Sequence, residues 1–395
     1  MKHRFILLYL VLVLLIVPII QAQEANLTAT CVENYDPEVD YFLDKISVDY
    51  AQGFEVEYFN NYKVVSVLTP WQNAEETFQY VLVQCGTPAP EEYTEAQIIE
   101  VPVKSFVSMS TSFLPHLDQQ GVLDSLVGMD SYLYTNNPNV IEKIDAGEIA
   151  EVGGGGSGEM NVELLIDLDA DLIMMQQFSV DGSGAREVLE QAGLTVVLNG
   201  DFVDTSPLGL AEWGKYISLF FNTEAEAQSY FDGVVSRYQE LVELAATAET
   251  QPTVLANTPY EDTWFMPGGK SYVAQLLKDA GADYFWADDE SVGSLFLDFE
   301  TVYDVAADAD FWVNVNFFWA DAAAALAEDE RYGDFASFKN GNVYTYNARM
   351  NANGGTDYFE AGYANPDVLL ADLIKIFHPD LLSDHELVYY KQLPQ

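Results

Sequence analysis

Short apolar runs alternate with polar positions along residues 54–84. The segments 54–59, 63–68 and 77–84 carry Val, Tyr and Phe at a period of two, which predicts strands. Pro70-Trp71-Gln72-Asn73-Ala74-Glu75 predicts the hairpin turn between the last two, and Thr87-Pro88-Ala89-Pro90 ends the run. From about Lys104 the pattern changes. Brief apolar stretches at 106–109, 172–175 and 195–198 alternate with segments of helical period. Strands alternating with helices predict a mostly parallel sheet covered on both faces. The segment 224–249 reads as one long amphipathic helix, with Phe231, Val234, Val235, Tyr238, Leu241 and Leu244 on its apolar stripe. At 1.5 Å per residue it spans about 39 Å, enough to link two lobes. Gln251-Pro252 stops it. A second α/β unit opens at Thr253-Val254-Leu255-Ala256-Asn257, has strands near Phe311 and Val343, and closes with a helix over 366–377.

Two stretches repeat one another. Asn161-Val162-Glu163-Leu164-Leu165-Ile166-Asp167 runs on through Ala170-Asp171 into Leu172-Ile173-Met174. Asp298-Phe299-Glu300-Thr301-Val302-Tyr303-Asp304 runs on through Ala309-Asp310 into Phe311-Trp312-Val313. Each predicts a short helix with a glutamate in its first turn, an Ala-Asp turn and an apolar strand. The spacing from glutamate to turn differs by two residues, so the repeat is imperfect. A unit repeated at such a distance implies two similar lobes, and the gap between two lobes is a natural place to enclose a ligand. An acid in the first turn of a helix also suits the dipole, which explains either glutamate alone. It explains less well why both copies keep one.

The N-terminus changes the picture next. Lys2, His3 and Arg4 precede an apolar run over 5–20, followed by Gln21-Ala22-Gln23. This predicts a secretory signal peptide over 1–22, cut near Ala22; the rival is an uncleaved anchor. Export makes a disulfide between Cys31 and Cys85, the chain's two cysteines, the expected state. Lipidation of Cys31 is the rival, but Thr30 precedes it and the apolar run ended at Ile20. The 395 residues include 63 acidic and 16 basic ones, a balance that argues against nucleic acid and anionic lipid as partners. The chain is nonetheless 49% hydrophobic, which excludes general disorder.

Most catalytic patterns are missing. Gly153-Gly154-Gly155-Gly156-Ser157-Gly158 contains the spacing of a dinucleotide fingerprint, but it lies far inside the lobe and lacks the acidic residue about 20 positions on; a loop at a cleft mouth is the better reading. His116, His378 and His385 make no metal-binding pair, and no G-x-S-x-G elbow occurs. The expectation is a non-enzyme with no cofactor and no direct metal site. Aromatic residues carry more information. Tyr132, Tyr134 and Phe178 fall in loops of the first unit, and Tyr260, Trp264, Phe265, Trp286, Trp319 and Tyr358 in or near loops of the second. Any one can be core; together they suit a large, partly apolar ligand. Arg349 stands out among scarce cations, either as an anion clamp or as the partner of one of many acids.

These residues lead to a resemblance. Val107-Ser108-Met109-Ser110-Thr111-Ser112 followed by Gly121-Val122-Leu123-Asp124-Ser125-Leu126-Val127-Gly128-Met129-Asp130, then Asn161-Val162-Glu163-Leu164-Leu165 with Ala170-Asp171-Leu172-Ile173, then Trp264-Phe265-Met266-Pro267-Gly268-Gly269-Lys270-Ser271-Tyr272 with Leu276-Leu277 and Ala280-Gly281-Ala282, resemble the substrate-binding proteins of iron–siderophore and vitamin B12 ABC importers, in order as well as in kind. The likeness covers about 104–378. It implies an α/β fold of two Rossmann-like lobes joined by one long helix, the class III, helical-backbone type of periplasmic binding protein. Here it would carry an extra N-terminal β-hairpin module. The implied divisions are 23–101 for that module, 102–223 for the N-lobe, 224–250 for the helix, 251–380 for the C-lobe and 381–395 for a tail.

The resemblance also implies that Glu163 and Glu300 dock onto the membrane permease. It places a ligand between the lobes, where Ser110, Thr111, Tyr132, Tyr134, Gln177, Phe178, Tyr260, Trp264, Trp286, Trp319 and Arg349 are the candidate contacts. No histidine set suits bare zinc or manganese. A ferric siderophore or similar chelate is therefore the first expectation, with cobalamin or haem next, and a surface-adhesion module the rival of another class. The expected protein is a monomer working outside the cytoplasm, soluble once its signal peptide is cut.

Overall fold

The computed structural model describes residues 25–93, 97–154, 159–179 and 183–395. The signal-peptide segment lies outside them, as do Gly155, Gly156, Ser157 and Gly158 of the glycine run. Strands β1 (Phe54–Tyr58), β2 (Tyr62–Val67), β3 (Phe78–Gln84) and β4 (Gln97–Val101) form the first sheet in sequence order. The first three pair antiparallel, as their alternation predicts. β4 instead joins β3 in parallel.

The N-lobe sheet has β5 (Phe106–Ser108), β6 (Leu126–Met129), β7 (Ala150–Glu151), β8 (Leu172–Met175) and β9 (Val196–Leu198) in the order β7-β6-β5-β8-β9, all parallel. Both faces are covered, and successive residues divide between them. Phe106, Leu172, Met174 and Val197 pack towards the first sheet, while Val107, Ile173, Met175 and Val196 pack on the opposite side. The C-lobe repeats the plan. Its sheet takes β10 (Thr253–Ala256), β13 (Asp283–Tyr284), β15 (Phe311–Val315), β16 (Val343–Thr345) and β17 (Lys391–Gln392) in the order β13-β10-β15-β16-β17. A small antiparallel sheet of β11 (Pro259–Tyr260), β12 (Thr263–Pro267) and β14 (Ser294–Leu297) sits beside it.

Helix Glu224–Ala245 links the lobes. It stops four residues short of the expected 249, because Thr247 turns its hydroxyl back onto the Leu244 carbonyl and the backbone N–H of Ala248 donates to Ala245. Its 22 residues span about 33 Å. Helix Pro207–Phe221, before it, is buried along its entire length. That is why it escapes a search for amphipathic period: apolar on all sides, it has no stripe to find. It lies against the first sheet, where Phe54 and Trp213 rings meet at 4.9 Å.

The first sheet is consequently a third layer on the N-lobe, with Phe54, Val65, Val67, Tyr80 and Leu82 sharing one core with Phe106, Leu172 and Val197. Charged groups fix the same contact. Lys63, fully buried, donates to Glu224 at 2.7 Å, to the Asn222 side chain and to the Leu219 carbonyl. Glu212, also fully buried, accepts the N–H groups of Asp49, Tyr50 and Ala51 and the Lys215 ammonium. The segment after 380 is likewise part of the C-lobe: β17 pairs with β16, and buried Asp372 accepts the N–H groups of Val388, Tyr389 and Tyr390. Cys31 and Cys85 form a disulfide across 54 positions, tying the start of the described chain to the end of β3.

Candidate functional site

In an open parallel sheet, loops leave opposite ways from neighbouring strands where the strand order reverses, and a crevice opens there at the carboxyl ends. In the N-lobe the reversal lies between β5 and β8, in the C-lobe between β10 and β15. The loops at these points face one another. Ser110 and Thr111 follow β5, Gln176 and Phe178 follow β8, Asn257 and Thr258 follow β10, and Asn316, Phe317 and Phe318 follow β15; all line the space between the lobes.

That space has three joined compartments. The first, of about 630 Å³, spans both lobes and is lined by Met109, Ser110, Thr111, Met160 and Met175 on one side and by Phe317, Phe318, Asn353 and Phe359 on the other. The second, about 530 Å³, belongs to the C-lobe and shares Phe317, Phe318 and Phe359 with the first. The third, about 290 Å³, shares Asn257, Tyr272 and Tyr363 with the second and reaches Gln72 in the turn of the N-terminal module. Aromatic rings form a continuous wall. Phe317 and Phe318 lie 4.3 Å apart, Phe317 and Tyr346 5.5 Å, and Tyr346 and Phe359 5.5 Å. Phe318, Phe178 and Tyr260 are each about two-thirds exposed or more, at 67%, 69% and 72%. Large apolar surface left uncovered on a cleft wall is surface kept for a ligand.

The phenols of this wall stay protonated. Burial pushes the Tyr358 hydroxyl up to about 12 and also raises those of Tyr272, Tyr346 and Tyr363 above the ordinary tyrosine value. A neutral phenol offers a hydrogen-bond donor and carries no charge. Behind the N-lobe wall, buried Asp201 accepts from Ser112 at 2.9 Å and from Gln176, setting the wall's polar groups; burial raises its carboxyl to about 6. The cleft is closed at one end. Asn351 donates to the carbonyls of Leu133 and Thr135, and Asn136 to that of Gly355. A Cβ on Gly355 would come within 2.4 Å of the Tyr134 carbonyl oxygen, so glycine lets the two loops touch.

Of the contacts expected from sequence, Ser110, Thr111, Tyr134, Phe178 and Tyr260 line the cleft. The others are placed elsewhere. Trp264 has no exposed surface; it stacks on Trp312 at 5.6 Å in the C-lobe core and donates its indole N–H to Ala256. Trp319 is buried against Trp312, with its N–H on Glu328. Trp286 packs on the C-lobe core against Tyr284. Tyr132 turns away to the Ile149 carbonyl. Gln177 is buried against Arg186 and the Ser179 carbonyl, while its neighbour Gln176 faces the cleft, since adjacent residues of an extended chain point opposite ways. Arg349 pairs with Asp357 at 2.9 Å and lies over the Tyr389 ring, off the cleft wall. Sequence reasoning missed the three methionines and the Phe317-Phe318 pair; for Met109, Met175 and the two phenylalanines the signal available was their place at the ends of the strands at which the order reverses, whereas Met160, just before helix Val162–Leu168, carries no such mark.

Glu163 and Glu300 are both exposed, each in the first turn of its helix, Val162–Leu168 and Phe299–Ala306. Neither is the cap. Asn161 accepts from Leu164 N–H, and Asp298 from Thr301 N–H. Capping therefore leaves the repeated glutamates unexplained. Among the described residues, the one cluster with three metal-donor side chains is Cys31, Cys85 and Glu100, whose sulfurs are already bonded to each other.

Comparison with known proteins agrees with this architecture. An uncharacterised lipoprotein of Methanocaldococcus jannaschii is 26% identical over 329 residues, 80% of each chain. An ABC transporter substrate-binding protein from Listeria monocytogenes is 17% identical with a TM-score of 0.52, covering 70% of this chain and all of that one. A periplasmic haem-binding protein from Pseudomonas aeruginosa is 16% identical with a TM-score of 0.54, covering 74% and 99%. At such identity the two structures speak to fold. The family model described as periplasmic binding protein matches residues 107–350, more than half of the sequence. The chain belongs to the periplasmic binding protein family, the extracytoplasmic solute-binding components of ABC importers, with the class III fold.

Proposed function

We propose that this protein captures a ferric siderophore or a similar iron chelate between its lobes and delivers it to an ABC permease. The observation that carries this reading is the joined, aromatic-walled cleft at the carboxyl ends of both sheets. Its volume suits a bulky organic complex rather than a bare ion. Its lining is made for stacking and neutral hydrogen bonds, through Tyr134, Phe178, Tyr260, Phe317, Phe318 and Phe359. Glu163 and Glu300, one on each lobe, are the docking contacts to the permease. Once the signal peptide is cut, the protein works as a soluble monomer.

Haem is the second reading. Met109, Met160 and Met175 line one compartment, and a thioether is a competent axial ligand for haem iron. Mass spectrometry of small molecules retained by protein purified from its native host tests both readings. An iron chelate supports the first, and a tetrapyrrole with a Soret band supports the second. A bare transition metal at one equivalent, with neither, would overturn both.

A further inference from the structure

We propose that the cleft selects uncharged or cationic iron chelates and rejects anionic ones. The inference rests on the iron-chelate reading above and adds the charge class of the ligand. Among the described residues that line the three compartments there is no Lys, Arg or His. The charged side chains there are two acids, Asp130 in the first compartment and Asp204 in the third. The remaining polar groups are neutral amides and hydroxyls, among them Asn257, Asn316, Gln176 and Thr111.

The cations nearest in sequence to the cleft loops, Arg186, Lys270 and Arg349, are each paired with an acid; Lys270, next to Ser271 of the third compartment, pairs with Glu290. Arg349 pairs with Asp357 at 2.9 Å. Arg186 pairs with Glu190 at 3.0 Å and covers the Phe78 ring. All three would have to leave an ion pair to reach a ligand.

A chelate entering this cleft loses water from its charged groups. A triscatecholate iron complex carries several negative charges. With no cation to replace that water, the desolvation cost stays uncompensated. The formal net charge of −47 adds a repulsive field at longer range. A neutral or cationic trishydroxamate meets the opposite conditions. Its amide-like periphery suits Asn and Tyr donors, and a positive charge is attracted to the faces of Phe317, Phe318 and Phe359. The aromatic wall offers apolar contact to either kind of chelate; the missing cation, the acid excess and the attraction of ring faces for positive charge separate them.

The test is calorimetric titration of the full mature protein with ferric complexes of similar size: a neutral trishydroxamate, a monocationic trishydroxamate and a triscatecholate. Both hydroxamates are expected to bind, and the triscatecholate about 100-fold or more weakly. Asn353, exposed on the cleft wall, supplies the second arm. Asn353→Lys is expected to improve triscatecholate binding about tenfold and to weaken the cationic complex, with both changes shrinking at high salt. Triscatecholate binding as tight as or tighter than hydroxamate overturns the charge assignment and leaves the iron-chelate reading standing. Tight haem or cobalamin binding with no response to any ferric chelate overturns the underlying reading itself.

Discussion

Glu360 of the C-lobe accepts the hydroxyl hydrogen bond of Thr135 in the N-lobe at 2.8 Å. The same carboxylate accepts the backbone N–H groups of Asn136 and Asn137, so one buried acid holds a whole loop of the opposite lobe. Together with the Asn351 bridges it fixes the spacing of the lobes at one end of the cleft.

This contact makes stability depend on pH in a defined direction. Burial outweighs the three hydrogen bonds and raises the Glu360 carboxyl from the ordinary 4.5 to about 7, with Asp357 adding repulsion. The folded state therefore holds this proton more tightly than the unfolded chain. Its stabilising contribution is full below about 4.5 and is lost as pH rises through about 7. Wild type is expected to lose about 1–3 kcal/mol more between pH 5 and pH 8 than Glu360→Gln does. Urea unfolding of both proteins at both pH values measures the difference. The general repulsion among surface acids is common to the two and cancels. An equal pH dependence in both would remove Glu360 from the account.

The Lys63–Glu224 pair predicts how far the N-terminal sheet matters to the lobes. Both side chains are fully buried, and they join β2 to the first residue of the linking helix. Lys63→Met leaves Glu224 charged in the interior, with the Asn26 amide and the Tyr58 hydroxyl beside it but no cation. The expected loss is about 3–5 kcal/mol. Lys63→Met combined with Glu224→Leu should recover much of it, because the uncompensated charge is gone. Chemical denaturation of the single and double variants separates the two outcomes. A double variant as unstable as the single one would mean that packing, not charge, holds this contact.

Two aromatic substitutions should divide stability from binding. Trp264 is enclosed by Trp312, Phe299 and Phe335. Trp264→Ala is expected to cost about 3–5 kcal/mol of stability. Phe318, 67% exposed on the cleft wall, should cost little stability on mutation to alanine but about 1–3 kcal/mol of ligand affinity. Thermal unfolding beside calorimetric titration distinguishes them. Unchanged ligand affinity in Phe318→Ala would take the shared aromatic wall out of the binding site.

These two residues also show what was legible in the sequence. Strand alternation, the linking helix, the repeated glutamates and the two-lobed plan could be read because each has a local pattern. So could the aromatic richness of the loops. Which aromatic faces the cleft could not be read. Trp264 and Phe318 both lie next to Phe neighbours in β-rich segments, and exposure depends on sheet order and on which way the loop leaves the strand. The Gln176–Gln177 pair makes the same point at one-residue scale: the segment was located, but the phase along it was not. The union of the N-terminal sheet with the N-lobe core was hidden for a different reason. Its contacts, Phe54 to Trp213 and Lys63 to Glu224, join positions more than 150 apart, and nothing local marks them.

Glu163 and Glu300 are expected to act in delivery and not in capture. Both are exposed in first helical turns whose caps are other residues, and neither lines the three compartments of the cleft. Their environments differ, and the difference is itself testable. Arg331 approaches Glu300 at 3.3 Å while pairing with Asp329 at 2.7 Å and covering the Phe299 ring, so Glu300 already has a cation beside it. If the proposed docking uses a permease arginine, that arginine would have to share or displace Arg331. Because the pair is exposed, solvent screens it and that competition is weak. Glu163→Ala with Glu300→Ala should leave ligand affinity within about 1 kcal/mol, as for distant sites, while transport into permease-bearing vesicles falls sharply. Arg331→Ala should leave ligand affinity unchanged and strengthen permease binding at low salt, because it frees Glu300. Loss of ligand affinity in a folded double alanine variant would reverse the roles assigned to the two glutamates.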